Sequence, residues 1–297
     1  MTAATRPEPT STRRDLWDAG QYLRFADQRL RPFLDLVDRA EAAAFRDDAP
    51  RRVADLGCGP GNATALLAER WPDAHVLGVD ASPAMIADAA PRRIPGRLDF
   101  ELGDLRQWEP GAGAGRSSGS DGDGSPADAD RPDLILANAV LQWIPGHLDV
   151  LARLAGLLAD GGAIGIQVPG NFTAPSHTLL TELRSSARWR DLLPASTERP
   201  ASHDPIDYFD VLDRSGLVPD VWETTYLYVV DGAEGVTEFV RGTALRPILT
   251  HLSPADGAAF VADYQALVLA AYPPREVGGR LVQVLPYRRI FAVGHRI

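Results

Sequence analysis

Val53-Ala54-Asp55-Leu56-Gly57-Cys58-Gly59-Pro60-Gly61-Asn62 is a short apolar run that ends in an acid and breaks into a glycine-rich turn. VADL reads as a buried strand. GCGPG reads as a turn whose glycines let the backbone bend sharply and come close to a ligand. Asn62 is placed to cap the helix ATALLAERW that follows. The start of that helix offers free N–H groups and a positive dipole end. Strand, glycine turn and helix together predict a nucleotide-type cofactor site.

The spacing separates two kinds of cofactor. A dinucleotide fingerprint is G-x-G-x-x-G directly after the strand. This chain has Asp55-x-Gly57-x-Gly59-x-Gly61, and an acid turned toward the loop suits a cation and repels a pyrophosphate. That argues against a nicotinamide oxidoreductase. The D-x-G-x-G-x-G run resembles the first motif of class I S-adenosylmethionine (SAM) methyltransferases. The resemblance implies that Asp55 orients the methionine end of SAM and that Gly57, Gly59 and Gly61 pass beneath its sulfur and ribose.

Later strands extend the pattern. His75-Val76-Leu77-Gly78-Val79-Asp80 reads as a second parallel strand. Its terminal acid, about 20 residues past the glycines, is placed to bind ribose hydroxyls. Ser82 caps the next helix and Pro83 takes its first position. Met85 and Ile86 on that helix either pack on the adenine or belong to ordinary helix-to-sheet core. A third strand over 98–102 leads into Gly103-Asp104-Leu105, where the resemblance implies that Asp104 meets the adenine amino group. Ala81 and Leu105 are expected to line the cofactor beside these acids. A fourth strand, Asp133 to Ala137, ends in Asn138-Ala139-Val140-Leu141-Gln142-Trp143. This is the carboxyl edge of the sheet, where open α/β folds bind ligands. Asn138 is expected at the cofactor, with Gln142 and Trp143 near its methyl group.

Two further stretches narrow the resemblance. ANAVLQW, paired with Trp17-Asp18-Ala19-Gly20-Gln21-Tyr22-Leu23-Arg24-Phe25, is similar to the trans-aconitate 2-methyltransferase family. Val168-Pro169-Gly170-Asn171, Leu245-Arg246-Pro247 and Leu285-Pro286-Tyr287-Arg288-Arg289 echo it. The likeness implies esterification of a carboxylate of a tricarboxylic acid. The alternative is an O-, N- or C-methyltransferase of another small metabolite, whose pocket would be less cationic and would hold a histidine or acid near the methyl.

Composition is consistent with a small-molecule enzyme. The 297 residues are 45% hydrophobic and 24% charged, with a net charge of −10. That is ample for a packed core. It disfavours non-specific nucleic-acid binding, which needs lysine and arginine to neutralise phosphates. Cys58 is the only cysteine, so no disulfide or cysteine-based zinc site forms within the chain. A lone thiol fits a reducing cytoplasm. Cys58 reads as a small side chain in a crowded turn, and no histidine–carboxylate spacing suggests a metal. The first 14 residues lack an apolar core and read as a disordered tail. No apolar run is long enough to span a membrane. Nothing calls for more than a monomer.

The expected architecture is α/β: a Rossmann-like, mostly parallel sheet with an antiparallel last strand and a helical cap. Residues 15–45 form a helical lid, broken by Pro32. By the resemblance, Tyr22 and Arg29 face the site from it, and Phe25 is either there or in the core. The SAM-binding core spans 51–170, interrupted by a polar insert over 111–131 that reads as a flexible loop. Residues 171–285 form a helical cap with one sheet strand at 221–230, and 286–297 supply the last strand. Desolvating a tricarboxylate requires paired charges, and arginine's fork fits a carboxylate. Arg29, Arg241, Arg246, Arg288 and Arg289 are the candidates. Arg246 and Arg288 are preferred, with Tyr22, Tyr226 and Tyr287 as hydroxyl donors and Trp143 beside them.

Overall fold

The computed structural model describes residues 26–45, 48–111, 120–121, 125–126, 130–193 and 202–297. The tail, Tyr22, Phe25 and most of the insert lie outside the described residues. So does the side chain of Arg29.

The main sheet has the strand order β3-β2-β1-β4-β5-β8-β6. Five parallel strands come first: β1 (Arg52–Leu56), β2 (His75–Asp80), β3 (Leu98–Leu102), β4 (Leu134–Asn138) and β5 (Ala163–Pro169). Helices α2 (Asn62–Arg70), α3 (Pro83–Ala89) and α4 (His147–Gly156) alternate with them. The central strands β1, β4 and β5 are nearly continuous buried apolar runs, as strands covered on both faces require, whereas β3 at the sheet edge alternates apolar with acidic residues. Helix α5 (Pro175–Ser185) and helix α6 (Pro205–Arg214) follow, then β6 (Val218–Asp231). The cap contains α7 (Gly235–Val240), a π-helical turn at Arg241–Leu245, α8 (Arg246–Leu249) and α9 (Pro254–Ala271). A three-residue strand β7 (Arg275–Val277) hairpins into the long β8 (Arg280–His295), which runs antiparallel between β5 and β6.

Each face of the sheet has its own core. One joins Val53, Val76, Leu136 and Phe291 to helix α1 (Ala26–Ala44) and to cap residues including Phe239 and Tyr264. The other joins Leu56, Ile135, Ile166 and Ile290 to α4 and α6. Among the described residues no helix is long and apolar enough to cross a membrane.

Several sequence expectations are corrected. Helix α1 runs unbroken through Pro32. Proline costs a helix interior about 3 kcal/mol, and the burial of Phe33, Leu36, Val37 and Ala40 against the sheet offsets that. Asn62 is not the cap of α2. Gly61 holds that position with φ 75°, and no side chain among the described residues caps the helix. The last strand begins at Arg280 rather than at 286 and includes Pro286. Proline is tolerated there because β8 has only β6 beside it at that point. Pairing with β7 ends at Val282 and pairing with β5 begins at Arg289. In the insert, Ser120–Asp121 pairs antiparallel with Ser125–Pro126.

Candidate active site

The carboxyl ends of β1 and β4 and the turn after β1 line a small open recess of about 50 Å³. Asp55, Gly57, Gly59, Asn62 and Asn138 line it, and Leu30 and Phe33 of α1 cover it. Each glycine of the turn has positive φ, but their surroundings differ. A Cβ on Gly57 would lie 2.5 Å from the Val140 side chain, and one on Gly61 2.7 Å from the Phe100 ring. A Cβ on Gly59 would meet nothing within 4 Å. The outer two glycines are therefore required by packing, whereas Gly59 presents bare backbone to open space.

Asp55 is 2% exposed and accepts a 2.6 Å hydrogen bond from the Thr64 hydroxyl on α2. Burial raises its pKa to about 6. The Thr64 bond opposes that rise and the nearby charge of Asp80 adds to it. A carboxylate held so expensively at the wall of an open recess is suited to a cationic ligand. Asp80 closes the turn from the other side. Its two oxygens accept the N–H groups of Gly59 and Ser82, each at 2.9 Å. Both oxygens keep a second lone pair, so the acid braces the turn and can still accept a hydroxyl. Ser82 and Pro83 begin α3 as expected from their types, with Ser82 accepting from the Met85 N–H at 3.4 Å.

Other cofactor candidates are placed less simply. Asp104 is engaged by the guanidinium of Arg106, which holds its pKa below the usual carboxylate range. Ala81 is exposed, Met85 is buried, and Ile86 packs on the core beneath α3. The Leu105 side chain is buried among Leu56, Val79 and Trp108, so only its backbone is at hand for a ligand. Burial pushes the Cys58 thiol far up, which makes it a poor nucleophile.

The turn after β4 is under strain. Ala139 has φ 55°, a left-handed conformation rare for a residue with a Cβ. Its N–H donates to the Gln167 carbonyl at 2.8 Å, and its carbonyl accepts from Gln142 Nε2 at 2.6 Å. Gln142 is thus buried as a brace of this turn, while Trp143 stands half-exposed beside it. Three buried polar atoms here have no partner among the described residues: Asn138 Oδ1, Gln142 Oε1 and Gln167 Nε2. Asn171, beyond β5, has neither end of its side-chain amide bonded among the described residues. Buried groups of this kind are normally satisfied, so a ligand at this edge would find polar atoms to bond.

The substrate candidates are divided by the pleat. Tyr226, Tyr228, Tyr287 and Arg289 share one face of the β6–β8 ladder. Arg288 is on the opposite face, where it pairs with Glu223 and donates to the Gly170 carbonyl at 3.2 Å. Arg288 and Tyr287 therefore do not share a face, and Arg289 is the arginine on the tyrosines' side. Tyr226 is buried and donates to Asp35 of α1 at 2.5 Å, with Arg31 5.1 Å above its ring. Arg246 is half-buried at the start of α8, next to Leu245 of the cap core. Arg241 pairs with Glu238. Leu30, Phe33, Gln167 and Asn171 were not anticipated. Gln167 carried a signal, being the one polar residue in the apolar run AIGIQVP. Among the described residues no group of three or more histidine, cysteine or acidic side chains could hold a metal.

Comparison with known proteins agrees with this geometry. A family model described as a methyltransferase domain matches residues 22–217. The trans-aconitate 2-methyltransferase of Streptomyces avermitilis is 48% identical over 286 residues, covering 94% of this chain and 97% of its own. That of Methylobacterium nodulans is 42% identical over 283 residues, covering 94% and 98%. Among solved structures, the YcgJ protein of Bacillus subtilis aligns with a TM-score of 0.51 at 14% identity, over 89% of this chain and 98% of that one. A putative sarcosine dimethylglycine methyltransferase from Galdieria sulphuraria aligns with a TM-score of 0.51 at 12% identity, over 94% and 91%. At such identities these structures speak to the fold alone.

Fold, recess and domain match define a class I methyltransferase, with SAM as its cofactor. Within that class, the identity and coverage of the curated relatives place the chain in the trans-aconitate 2-methyltransferase family.

Proposed function

We propose that the enzyme transfers a methyl group from SAM to a carboxylate of trans-aconitate, giving the monomethyl ester and S-adenosylhomocysteine. The observation that carries the reading is the near-full-length identity to trans-aconitate 2-methyltransferases. The buried Asp55 carboxylate at an open recess fits the cationic donor such a reaction needs.

SAM, when bound, supplies a methyl carbon activated by a sulfonium. In our assignment Asp55 holds the cationic methionine end, Asp80 the ribose, and the backbone of Gly57, Gly59 and Gly61 the surface beneath them. Asp104, Ala81, Met85 and Leu105 border the adenine, with Asn138 at the carboxyl edge. Gln142 keeps the strained Ala139 turn in place, and Trp143 flanks the acceptor. Carboxylic acids have reference pKa values near 4, so the acceptor is already ionised at pH 7 and requires no general base. The protein's contribution is to position the carboxylate, strip it of water and neutralise the charges that do not react. Tyr287 and Arg246 complete the polar lining on the cap side, and Tyr22 and Arg29 are assigned to the lid over it. Tyr226 is assigned there as a wall. The net charge of −10 disfavours nucleic acid as a partner, and we assign the enzyme to the cytoplasm as a monomer acting on a small molecule.

The test is methyl transfer from labelled SAM to a panel of di- and tricarboxylic acids, with phenols and amines as controls. The expected product is an alkali-labile ester formed preferentially on trans-aconitate. Label on a phenol or amine would overturn the substrate assignment while leaving fold and cofactor in place.

A further inference from the structure

Resting on the reading of the enzyme as a tricarboxylate methyltransferase, we propose that Gln167 and Arg289 form the pair that grips a non-reacting carboxylate of the substrate.

Arg289 is a cation inside the sheet, 5% exposed. Its Nη1 donates to Gln167 Oε1 at 3.0 Å, and its guanidinium carbon stands 4.5 Å from the centre of the Tyr287 ring. Nη2 lies 3.5 Å from the Tyr228 hydroxyl. Gln167 is wholly buried. A guanidinium only donates, so the amide oxygen must face Arg289, and this fixes which end of Gln167 is which. The Nε2 group therefore points away from the arginine, and it has no partner among the described residues. A buried amide N–H₂ left unbonded costs free energy until something accepts from it. The pair thus offers positive charge and a directed donor side by side, which together match a carboxylate.

Its place in the sheet relates it to the reaction. Gln167 is the register partner of Asn138 on the neighbouring strand, so their side chains share a face. Asn138 lines the recess with Asp55. Across the antiparallel ladder Gln167 faces Phe291, and Arg289 is two residues further toward the carboxyl edge, on the same face. Asp55, Asn138, Gln167 and Arg289 consequently form a polar row on one side of four adjacent strands, running from the cofactor recess to the tyrosines beneath the cap. The Gln167 backbone also fixes the strained turn, since its carbonyl accepts from Ala139 N–H. Substrate contact and the turn beside the methyl are therefore carried by one residue.

Gln167→Glu and Gln167→Leu test the pair. The first places a carboxylate against Arg289 within the fold, occupying the charge intended for substrate; the second removes the donor. Each is expected to raise the KM for trans-aconitate about ten- to a hundredfold, the range for a lost hydrogen bond to a charged group. The Kd for SAM, measured by calorimetry, is expected to stay within about twofold. Thermal melting of both variants establishes that they are folded, and Gln167→Glu, which gains an ion pair, is the variant expected to melt at or above wild type. Unchanged KM in a folded Gln167→Glu enzyme would overturn the pair while leaving the proposed reaction intact. A rise in the SAM Kd instead of the KM would assign the pair to the cofactor's own carboxylate and equally overturn it. A wild-type enzyme that esterifies no carboxylic acid would refute the reaction, and the pair with it.

Discussion

Asp55 shows how a single side chain links folding to function. The strand VADL carries it into the sheet interior, and Thr64 is its described hydrogen-bond partner. Its raised pKa of about 6 means that the folded protein holds a proton there below that pH. A cationic ligand favours the carboxylate, so binding drives the proton off. SAM affinity is therefore expected to weaken as pH falls through 6. Calorimetry in buffers of different ionisation enthalpy should find about half a proton released per SAM bound at pH 6 and about a tenth at pH 7. Asp55→Asn should abolish the release. Proton uptake at pH 6, or no linkage, would remove Asp55 from the cation's side. This residue was legible in the sequence because an acid at a strand end before glycines has a simple electrostatic meaning. Gln167 was harder to read, since its role depends on which face of β5 meets β8, and that is a matter of register between distant segments.

At the scale of elements, the glycine turn and the last strand give opposite lessons. The turn is local, and its spacing predicted a sharp backbone path that the structure follows at Gly57, Gly59 and Gly61. Two of its glycines should separate under mutation. Gly61→Ala drives a Cβ into the Phe100 ring at 2.7 Å and strains a left-handed φ, so it should lower stability by roughly 2–4 kcal/mol. Gly59→Ala meets no atom and should cost only about 1–2 kcal/mol of backbone strain, yet weaken SAM binding about tenfold or more by filling the ligand's space. Urea midpoints and calorimetry on the two variants check this; equal effects on both readouts would contradict it. The last strand was misread where its neighbours decide the outcome. Pro286 looked like a boundary, but a one-sided stretch of β8 tolerates it. Arg288 and Arg289 are adjacent in sequence and fall on opposite faces, so a preference between them needs the pleat phase that only pairing with β6 supplies. Pro32 is similar: local chemistry argues for a break, and the packing of α1 on β5 and β8 overrides it.

The whole molecule is a mostly parallel sheet that positions a donor at its carboxyl edge, with a cap and an N-terminal helix laid over one face. The alternation of strands and helices made the sheet readable from the chain. The cap has no such repeat: its helices range from 4 to 18 residues, a π-helical turn joins two of them, and their arrangement follows from which aromatic side chains meet across β6, β8 and α7. The account's central claim is that this assembly methylates a carboxylate by positioning alone, with no base. The measurement that tests it most directly is kcat against pH at saturating SAM and trans-aconitate. Since the acceptor is fully ionised above about pH 6, kcat should be flat between about pH 7 and 9. A rate climbing about tenfold per pH unit across that range would mean that a proton must leave the acceptor before transfer, and the carboxylate mechanism would fall.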